Sequence, residues 1–258
     1  MARAPKKILF PLPDTDFDVT ESAVPWKLLS EAGHTVEFAT EHGATPSADP
    51  LLLSGVVFGK LGARAEAIEF YRAMEQSPAF RQPHAWTSLD ITEFDAVFLA
   101  GGHAAGMRQY LGSEQLHQLL ATFWRLERPV AAICHGVLAL ARAIDPDTGV
   151  SVLHDRKTTC LPKYMERTAY WLTAWRRGRY YRTYRQYVQD EVSAALADAK
   201  HQFVRGPRTL TARGTADNDE PAFIVRDRNY VSARWPGDSY LIAKELLRMV
   251  GSEAVLAA

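Results

Sequence analysis

The sequence predicts an α/β fold built on a parallel β-sheet, and three observations support this class. Short apolar runs recur along the chain, as expected of strands that are buried on both faces. Segments with helical periodicity separate these runs. The links between strands and helices are short, which favours right-handed strand–helix–strand units whose neighbouring strands are parallel.

The first half of the chain alternates predicted strands with predicted helices. If Ser22 is the N-cap of the first helix, Pro25 falls in the first turn, where its missing N–H is harmless. Gly33 is the expected C-cap of that helix. Strands are predicted at residues 7–12, 35–39, 96–100 and 129–133, and helices at residues 20–33, 63–76, 113–127 and 137–143.

The second half carries a segment in which arginines and aromatic residues interleave, between residues 164 and 187. Such interleaving occurs on nucleic-acid-binding surfaces, and also in helical caps and dimer faces whose arginine stems pack on rings. We expect one domain over residues 1–258, with residues 155–208 inserted as a cap or a dimerisation element. Strand pattern returns at residues 202–206, and a hairpin at residues 222–234 precedes the last helix, at residues 238–250.

The composition excludes several classes of function. The chain has 258 residues, of which 47% are hydrophobic, with 30 basic and 30 acidic side chains. This neutral balance argues against nucleic-acid and anionic-membrane partners, and it favours the cap interpretation. No apolar run is long enough to cross a bilayer or resembles a signal peptide, and two cysteines make no disulfide framework, so we expect a cytoplasmic location. The eight histidines show no metal-ligand spacing, and we expect neither a metal nor a cofactor.

The stretch at residues 129–140 predicts a nucleophile elbow. A buried strand changes directly into a helix, with only Cys134-His135-Gly136 between them. Such a sharp turn places its central residue, Cys134, at the carboxyl edge of the sheet in a strained backbone conformation. Gly136 leaves room for the close approach of strand and helix.

This position predicts a reactive cysteine. At a helix N-terminus, unpaired N–H groups favour the thiolate, so we expect an exposed Cys134 with a lowered pKa. The same N–H groups can bind an oxyanion, and His135 can move protons beside a bound substrate. The alternative is an inert cysteine in a core strand, but such a residue needs neither the histidine nor the glycine.

Other candidate residues follow the first and third predicted strands. Glu21 lies near the carboxyl end of the first strand, and Gly101-Gly102-His103 follow the third. Ligands bind at this edge of open parallel sheets, and paired glycines let the backbone approach an oxyanion. Taken alone, Glu21 also suits an ordinary acidic helix start and His103 an ordinary loop histidine.

Three motifs together resemble the ThiJ/PfpI superfamily, which is related to class I glutamine amidotransferases. They are Thr-Glu-Ser-Ala-Val-Pro-Trp at residues 20–26, Gly-Gly-His at residues 101–103, and Ala-Ala-Ile-Cys-His-Gly at residues 131–136. The branch most resembled contains heat-shock chaperones and glyoxalase III enzymes. The resemblance implies a flavodoxin-like, doubly wound, mostly parallel sheet with helices on both faces, and a homodimer.

The resemblance also implies roles for single residues. Glu21 would hydrogen-bond to Cys134, and the amides of Gly102 and His135 would bind an oxyanion. An acidic residue after the cysteine often orients the histidine in that branch. Lys163 stands near the expected position, and Glu166, one helical turn further on, is the predicted orienter.

These features predict a cofactor-independent cysteine enzyme with a small-molecule substrate. In the glyoxalase III version, Cys134 adds to a small 2-oxoaldehyde such as methylglyoxal, and Glu21 and His135 shuttle protons until lactate is released. In an alternative version, Cys134 attacks an amide or another acyl carbon, as in a cysteine hydrolase. A second alternative is a stress chaperone or an oxidation sensor, in which Cys134 becomes a sulfinate held by Glu21.

Overall fold

The computed structural model describes residues 4–251 and centres on a seven-stranded sheet. The strand order is β5–β3–β1–β6–β7–β9–β8, and every neighbouring pair is parallel except the β8–β9 hairpin. A separate parallel pair joins β2 to β4. The strands are β1 Lys7–Pro11, β2 Thr15–Phe17, β3 Thr35–Thr40, β4 Ser47–Ala48, β5 His84–Ala85, β6 Ala96–Leu99, β7 Val130–Ile133, β8 Ile224–Asp227 and β9 Tyr230–Ala233.

Helices flank this sheet in two groups. The helices are α1 Val19–Glu31, α2 Pro50–Ser54, α3 Ala65–Gln76, α4 Pro78–Arg81, α5 Met107–Leu111, α6 Glu114–Trp124, α7 Gly136–Arg142, α8 Lys163–Arg177, α9 Val188–Ala194, α10 Ala199–Gln202 and α11 Ser239–Met249. Helix α1 packs on α3 and α11, while α7 packs on α5, α6 and α9. Because β6, β7 and β9 are buried at every position, both faces of the sheet are covered. The predicted flavodoxin-like architecture is confirmed.

Two details of the predicted elements are wrong. The first helix begins after Asp18, not after Ser22, because the Asp18 side chain accepts hydrogen bonds from the N–H groups of Thr20 and Glu21. Pro25 therefore lies inside the helix. Residues 202–206 form no strand: Gln202 ends α10, and the next residue makes only an isolated bridge to residue 158.

The central strands bring distant parts of the sequence to one edge. Strands β1, β6 and β7 are adjacent and parallel, so their carboxyl ends open on the same side of the sheet. The start of α1, residues 101–103 and residues 134–135 follow these three ends. Within residues 4–251, every helix is too short or too polar to cross a lipid bilayer.

Candidate active site

Cys134 occupies a strained turn between β7 and α7. Its φ angle is +59°, in the left-handed region that residues other than glycine rarely adopt. The Cys134 N–H donates to the carbonyl oxygen of Ala233 at 3.1 Å, which fixes the turn against β9. A Cβ atom on Gly136 would collide with the carbonyl oxygen of Leu99, so only glycine fits there. The predicted elbow is confirmed.

The expected exposure and pKa of Cys134 are wrong. The side chain is 0% exposed. Burial raises the pKa of the thiol well above its usual value, and the neighbouring acidic side chains of Glu21 and Asp18 add to this shift. The N–H of His135 donates to the sulfur and lowers the pKa, as the helix-terminus argument requires, but burial outweighs this contribution. The resting residue is therefore a neutral thiol.

Glu21 supplies a carboxyl group on one side of this thiol. It is 0% exposed in the first turn of α1, and its Oε2 accepts the N–H of Gly101 at 2.9 Å. Burial and the neighbouring Asp18 raise the pKa of Glu21 well above its usual value, although a hydrogen bond with Cys134 opposes this shift. This shift favours the protonated carboxyl form, which can donate a proton.

His135 lies on the other side, and its tautomer follows from its contacts. The Thr183 hydroxyl donates its single proton to the carbonyl oxygen of His103 at 2.6 Å. The Thr183 oxygen also lies 3.4 Å from His135 Nε2. Because its own proton is already used, this oxygen must accept a hydrogen bond from an Nε2–H group. Burial lowers the pKa of His135 well below its usual value, so the ring is neutral and Nδ1 is unprotonated. Nδ1 lies 3.5 Å from Cys134 Sγ and can accept the thiol proton.

Glu166, the predicted orienter, is not brought to His135. Its Oε1 accepts from Arg182 at 2.8 Å, and its Oε2 accepts the N–H of Val188 at 3.0 Å. The atom beside His135 Nε2 belongs instead to Thr183, which follows Arg182 in the chain. Glu166 thus holds the segment that carries Thr183, and the hydroxyl takes the position expected of an acid.

The Gly-Gly-His loop contributes differently from the expectation. The Gly101 N–H is used by Glu21, so it is not free to bind an oxyanion. Within residues 4–251, the Gly102 N–H donates to no oxygen, and it remains a candidate donor. His103 comes close to the reactive residues: its Nε2 lies 3.9 Å from Cys134 Sγ, and its ring packs edge-on against His135 with centroids 4.7 Å apart.

The same contacts create a group of metal-ligand atoms that the scattered histidines of the sequence did not indicate. Sγ of Cys134 and one ring nitrogen each of His103 and His135 all lie within 4.8 Å of one another. The absence of metal-ligand spacing in the sequence therefore did not indicate this group, and the expectation of no metal stays a prediction. His103 follows β6, whereas Cys134 and His135 follow the neighbouring strand β7, so the group has no regular spacing in the sequence.

A cavity of about 390 Å³ adjoins the site. His103 lines it, whereas Cys134 does not, so His103 is the residue that the cavity and the sulfur share. The lining is mostly apolar and is supplied largely by three segments: residues 52–62, residues 161–181 and residues 210–236. Its polar members include Asp18, Tyr181 and Arg213.

Sequence reasoning missed several of these residues. Asp18 caps α1 and lines the cavity with an acidic side chain. Burial raises the pKa of this side chain to about 6. Arg213 lies over the Trp235 ring at 4.7 Å and donates no hydrogen bond within the described chain. The Asp-x-x-Glu spacing at residues 18–21 is the one signal that could have been found, because it resembles a capping box. Neither Thr183 nor Arg213 carries a local signal.

A doubly wound sheet with a cysteine elbow, an adjoining histidine and a carboxyl group from the first helix defines the class of this protein. The chain belongs to the ThiJ/PfpI family, whose model, described as ThiJ/PfpI family-like, matches residues 12–207. An uncharacterized protein of Schizosaccharomyces pombe is 31% identical over 254 residues, which cover 95% of this chain and 84% of that protein.

Proteins with glyoxalase names are more distant. The glutathione-independent glyoxalase hsp3101 of Schizosaccharomyces pombe is 27% identical over 152 residues, or 57% of this chain and 59% of that protein. The structure of glyoxalase III from Candida albicans is similar with a TM-score of 0.68 and 20% identity, covering 95% of this chain and 97% of that one. The Drosophila melanogaster DJ-1beta structure gives a TM-score of 0.57 at 16% identity, covering 96% and 92%.

Proposed function

We infer that this protein is a cofactor-independent cysteine enzyme that converts 2-oxoaldehydes to 2-hydroxy acids, as in the conversion of methylglyoxal to lactate. One observation carries the proposal. The Cys134 thiol lies between the Glu21 carboxyl group, whose pKa burial raises well above its usual value, and the imidazole nitrogen His135 Nδ1 at 3.5 Å. An isomerisation that moves hydrogen between two adjacent carbons needs such a donor and acceptor beside the reacting group.

The reaction begins with addition of Cys134 to the aldehyde. As the sulfur–carbon bond forms, the thiol proton passes to His135 Nδ1, and the new alkoxide is protonated to give a hemithioacetal. A base removes the hydrogen on the former aldehyde carbon, which gives an enediol. Reprotonation at the neighbouring carbon leaves a thioester, and water releases the hydroxy acid and restores the thiol. Glu21 and His135 are the groups placed to carry these protons.

The cavity supports a dicarbonyl substrate. Arg213 has free N–H groups in an apolar setting, where burial lowers its pKa, and these groups can bind a second carbonyl oxygen. The Gly102 N–H can bind the alkoxide at the reacting carbon. Glyoxalase relatives of 24% and 27% identity, each matched over part of the chain, are in keeping with this chemistry.

Turnover by chelator-treated protein tests the proposal. Lactate formation from methylglyoxal is compared with hydrolysis of a panel of amides. We expect lactate, and we expect its rate to fall to the background in Cys134→Ser, an almost isosteric change. Cys160→Ser is the matched control and should retain activity. Cys160 is equally buried, and within residues 4–251 the one hydrogen bond of its sulfur goes to the carbonyl oxygen of Leu161.

The other outcomes separate the alternatives. Lactate formation that survives Cys134→Ser would exclude the proposed mechanism. Turnover of an amide without lactate formation would favour the cysteine hydrolase. Absence of all turnover, together with suppressed aggregation of a client protein, would favour the chaperone.

A further inference from the structure

We propose that His103, Cys134 and His135 form a binding site for a divalent transition-metal ion such as Zn²⁺. Bound there, the ion withdraws the Cys134 sulfur from reaction. The metal site stands on geometry alone, and only its inhibitory consequence rests on the proposed function.

The distances suit tetrahedral coordination. Zinc–sulfur and zinc–nitrogen bonds of about 2.3 and 2.0–2.1 Å place tetrahedral ligand atoms roughly 3.3 to 3.6 Å apart. Cys134 Sγ lies 3.5 Å from His135 Nδ1 and 3.9 Å from His103 Nε2, and all three ligand atoms fall within 4.8 Å of one another. Small rotations of the His103 side chain are enough to close the remaining gap.

The protonation of His135 is already that of a metal ligand. Its Nε2–H donates to Thr183, which leaves the Nδ1 lone pair facing the sulfur. A metal-ligating histidine typically donates its second N–H to an oxygen in this way, which fixes the ring and its tautomer. Thr183 also helps to position His103, because its hydroxyl donates a hydrogen bond to the His103 carbonyl oxygen.

His103 shows a second feature that points to a ligand. Its Nδ1 is buried without a hydrogen-bond partner in the described chain, so no protein group there fixes the tautomer of the ring. With the ring proton on Nδ1, the lone pair of Nε2, which lies 3.9 Å from Cys134 Sγ, is available to a metal ion. Because His103 also lines the cavity, an ion can enter from that side, and the fourth coordination position is left for water.

The ligand set selects the type of metal. One thiolate and two imidazoles suit Zn²⁺ and Co²⁺, which can substitute for Zn²⁺ as a spectroscopic probe, whereas Mg²⁺ and Ca²⁺ require oxygen ligands. Binding releases one proton: the Cys134 S–H bond breaks, the sulfur–metal bond forms, and the proton leaves to the buffer. No electron transfer is involved.

Cobalt is the probe of choice, because a cobalt–thiolate bond gives a charge-transfer absorption and tetrahedral Co²⁺ gives intense visible bands. Reduced, chelator-treated protein is titrated with Co²⁺, and Zn²⁺ is then added. We expect one equivalent of tetrahedral cobalt, displaced by Zn²⁺. The charge-transfer band should disappear in Cys134→Ser and persist in Cys160→Ser. Thr183→Val keeps all three ligands but removes the hydroxyl that accepts from His135 Nε2–H and donates to the His103 carbonyl oxygen, and it should weaken binding by about 10- to 100-fold.

The competing outcomes are equally clear. Absence of a charge-transfer band with the wild-type protein, or a band that survives Cys134→Ser or His103→Ala, would overturn the site. If the enzyme turns over methylglyoxal, stoichiometric Zn²⁺ should inhibit it and a chelator should restore it. A cobalt spectrum without any turnover would leave the metal site standing and reject the proposed function instead.

Discussion

At the scale of single residues, one hydroxyl proton decides which nitrogen atom of His135 carries its lone pair toward the Cys134 sulfur. Thr183 has a single proton, and the carbonyl oxygen of His103 takes it at 2.6 Å. The oxygen of Thr183 is left as an acceptor for His135 Nε2–H, and Nδ1 becomes the acceptor for the thiol proton. A neutral hydroxyl thus performs the orienting role for which an acid was expected.

Thr183→Val tests this role, since it preserves shape and removes the hydroxyl. Without a fixed tautomer, His135 can place N–H toward the sulfur, and we expect kcat for methylglyoxal to fall by about 10²-fold while KM changes little. Thr183→Ser restores the hydroxyl and should recover most of kcat. Equal loss in both variants, or a change confined to KM, would show that Thr183 acts through packing.

At the scale of elements, the buried carboxyl group of Asp18 at the start of α1 lowers the free energy of unfolding once it is ionised. Asp18 caps the helix through the N–H groups of Thr20 and Glu21, yet burial raises its pKa from 3.8 to about 6. The folded protein therefore binds more protons than the unfolded chain between these two pH values. By linkage, this residue makes the free energy of unfolding fall as pH rises from about 4 to 6.

Asp18→Asn should stabilise the protein near neutral pH. Asparagine is an equally good N-cap and carries no charge to desolvate. The shift of the Asp18 pKa to about 6 corresponds to about 3 kcal/mol, which is the upper limit of the gain expected above pH 6. Below pH 4 the two proteins should unfold alike. Urea unfolding at pH 3.5, 5 and 7.5 measures this, and a gain independent of pH would contradict the assignment.

Those parts of the site that depend on local pattern could be predicted from the sequence, and those that depend on packing could not. The elbow at Cys134 was predictable because strand changes to helix within three residues, and the shared edge of Glu21 and Gly101 follows from parallel strands. The thiol pKa was mispredicted because burial, a property of the whole fold, outweighs the local N–H donor. Thr183 was missed because it reaches His135 from a segment without a recognisable motif.

At the scale of the whole molecule, the cavity is assembled from parts that are distant in sequence. Helix α2 and the residues after it contribute one wall, α8 with Tyr181 another, and residues 210–236 a third. The segment at 155–208 thus lines the cavity, as a cap would. A cavity of about 390 Å³ with a mostly apolar lining offers more apolar contact than the methyl group of methylglyoxal can use.

We therefore predict a preference for bulkier 2-oxoaldehydes. Burying a phenyl ring contributes about 1.5–3 kcal/mol, so kcat/KM for phenylglyoxal should exceed that for methylglyoxal by about 10- to 100-fold, mainly through KM. Ala169→Leu on α8 narrows the cavity at a residue that lines it without belonging to the reactive cluster, and it should reduce this ratio while methylglyoxal turnover is kept. Steady-state kinetics of both substrates with both proteins provide the measurement. An equal or reversed preference in the wild-type protein would mean that substrates do not occupy this cavity, because its apolar walls would then contribute nothing to binding.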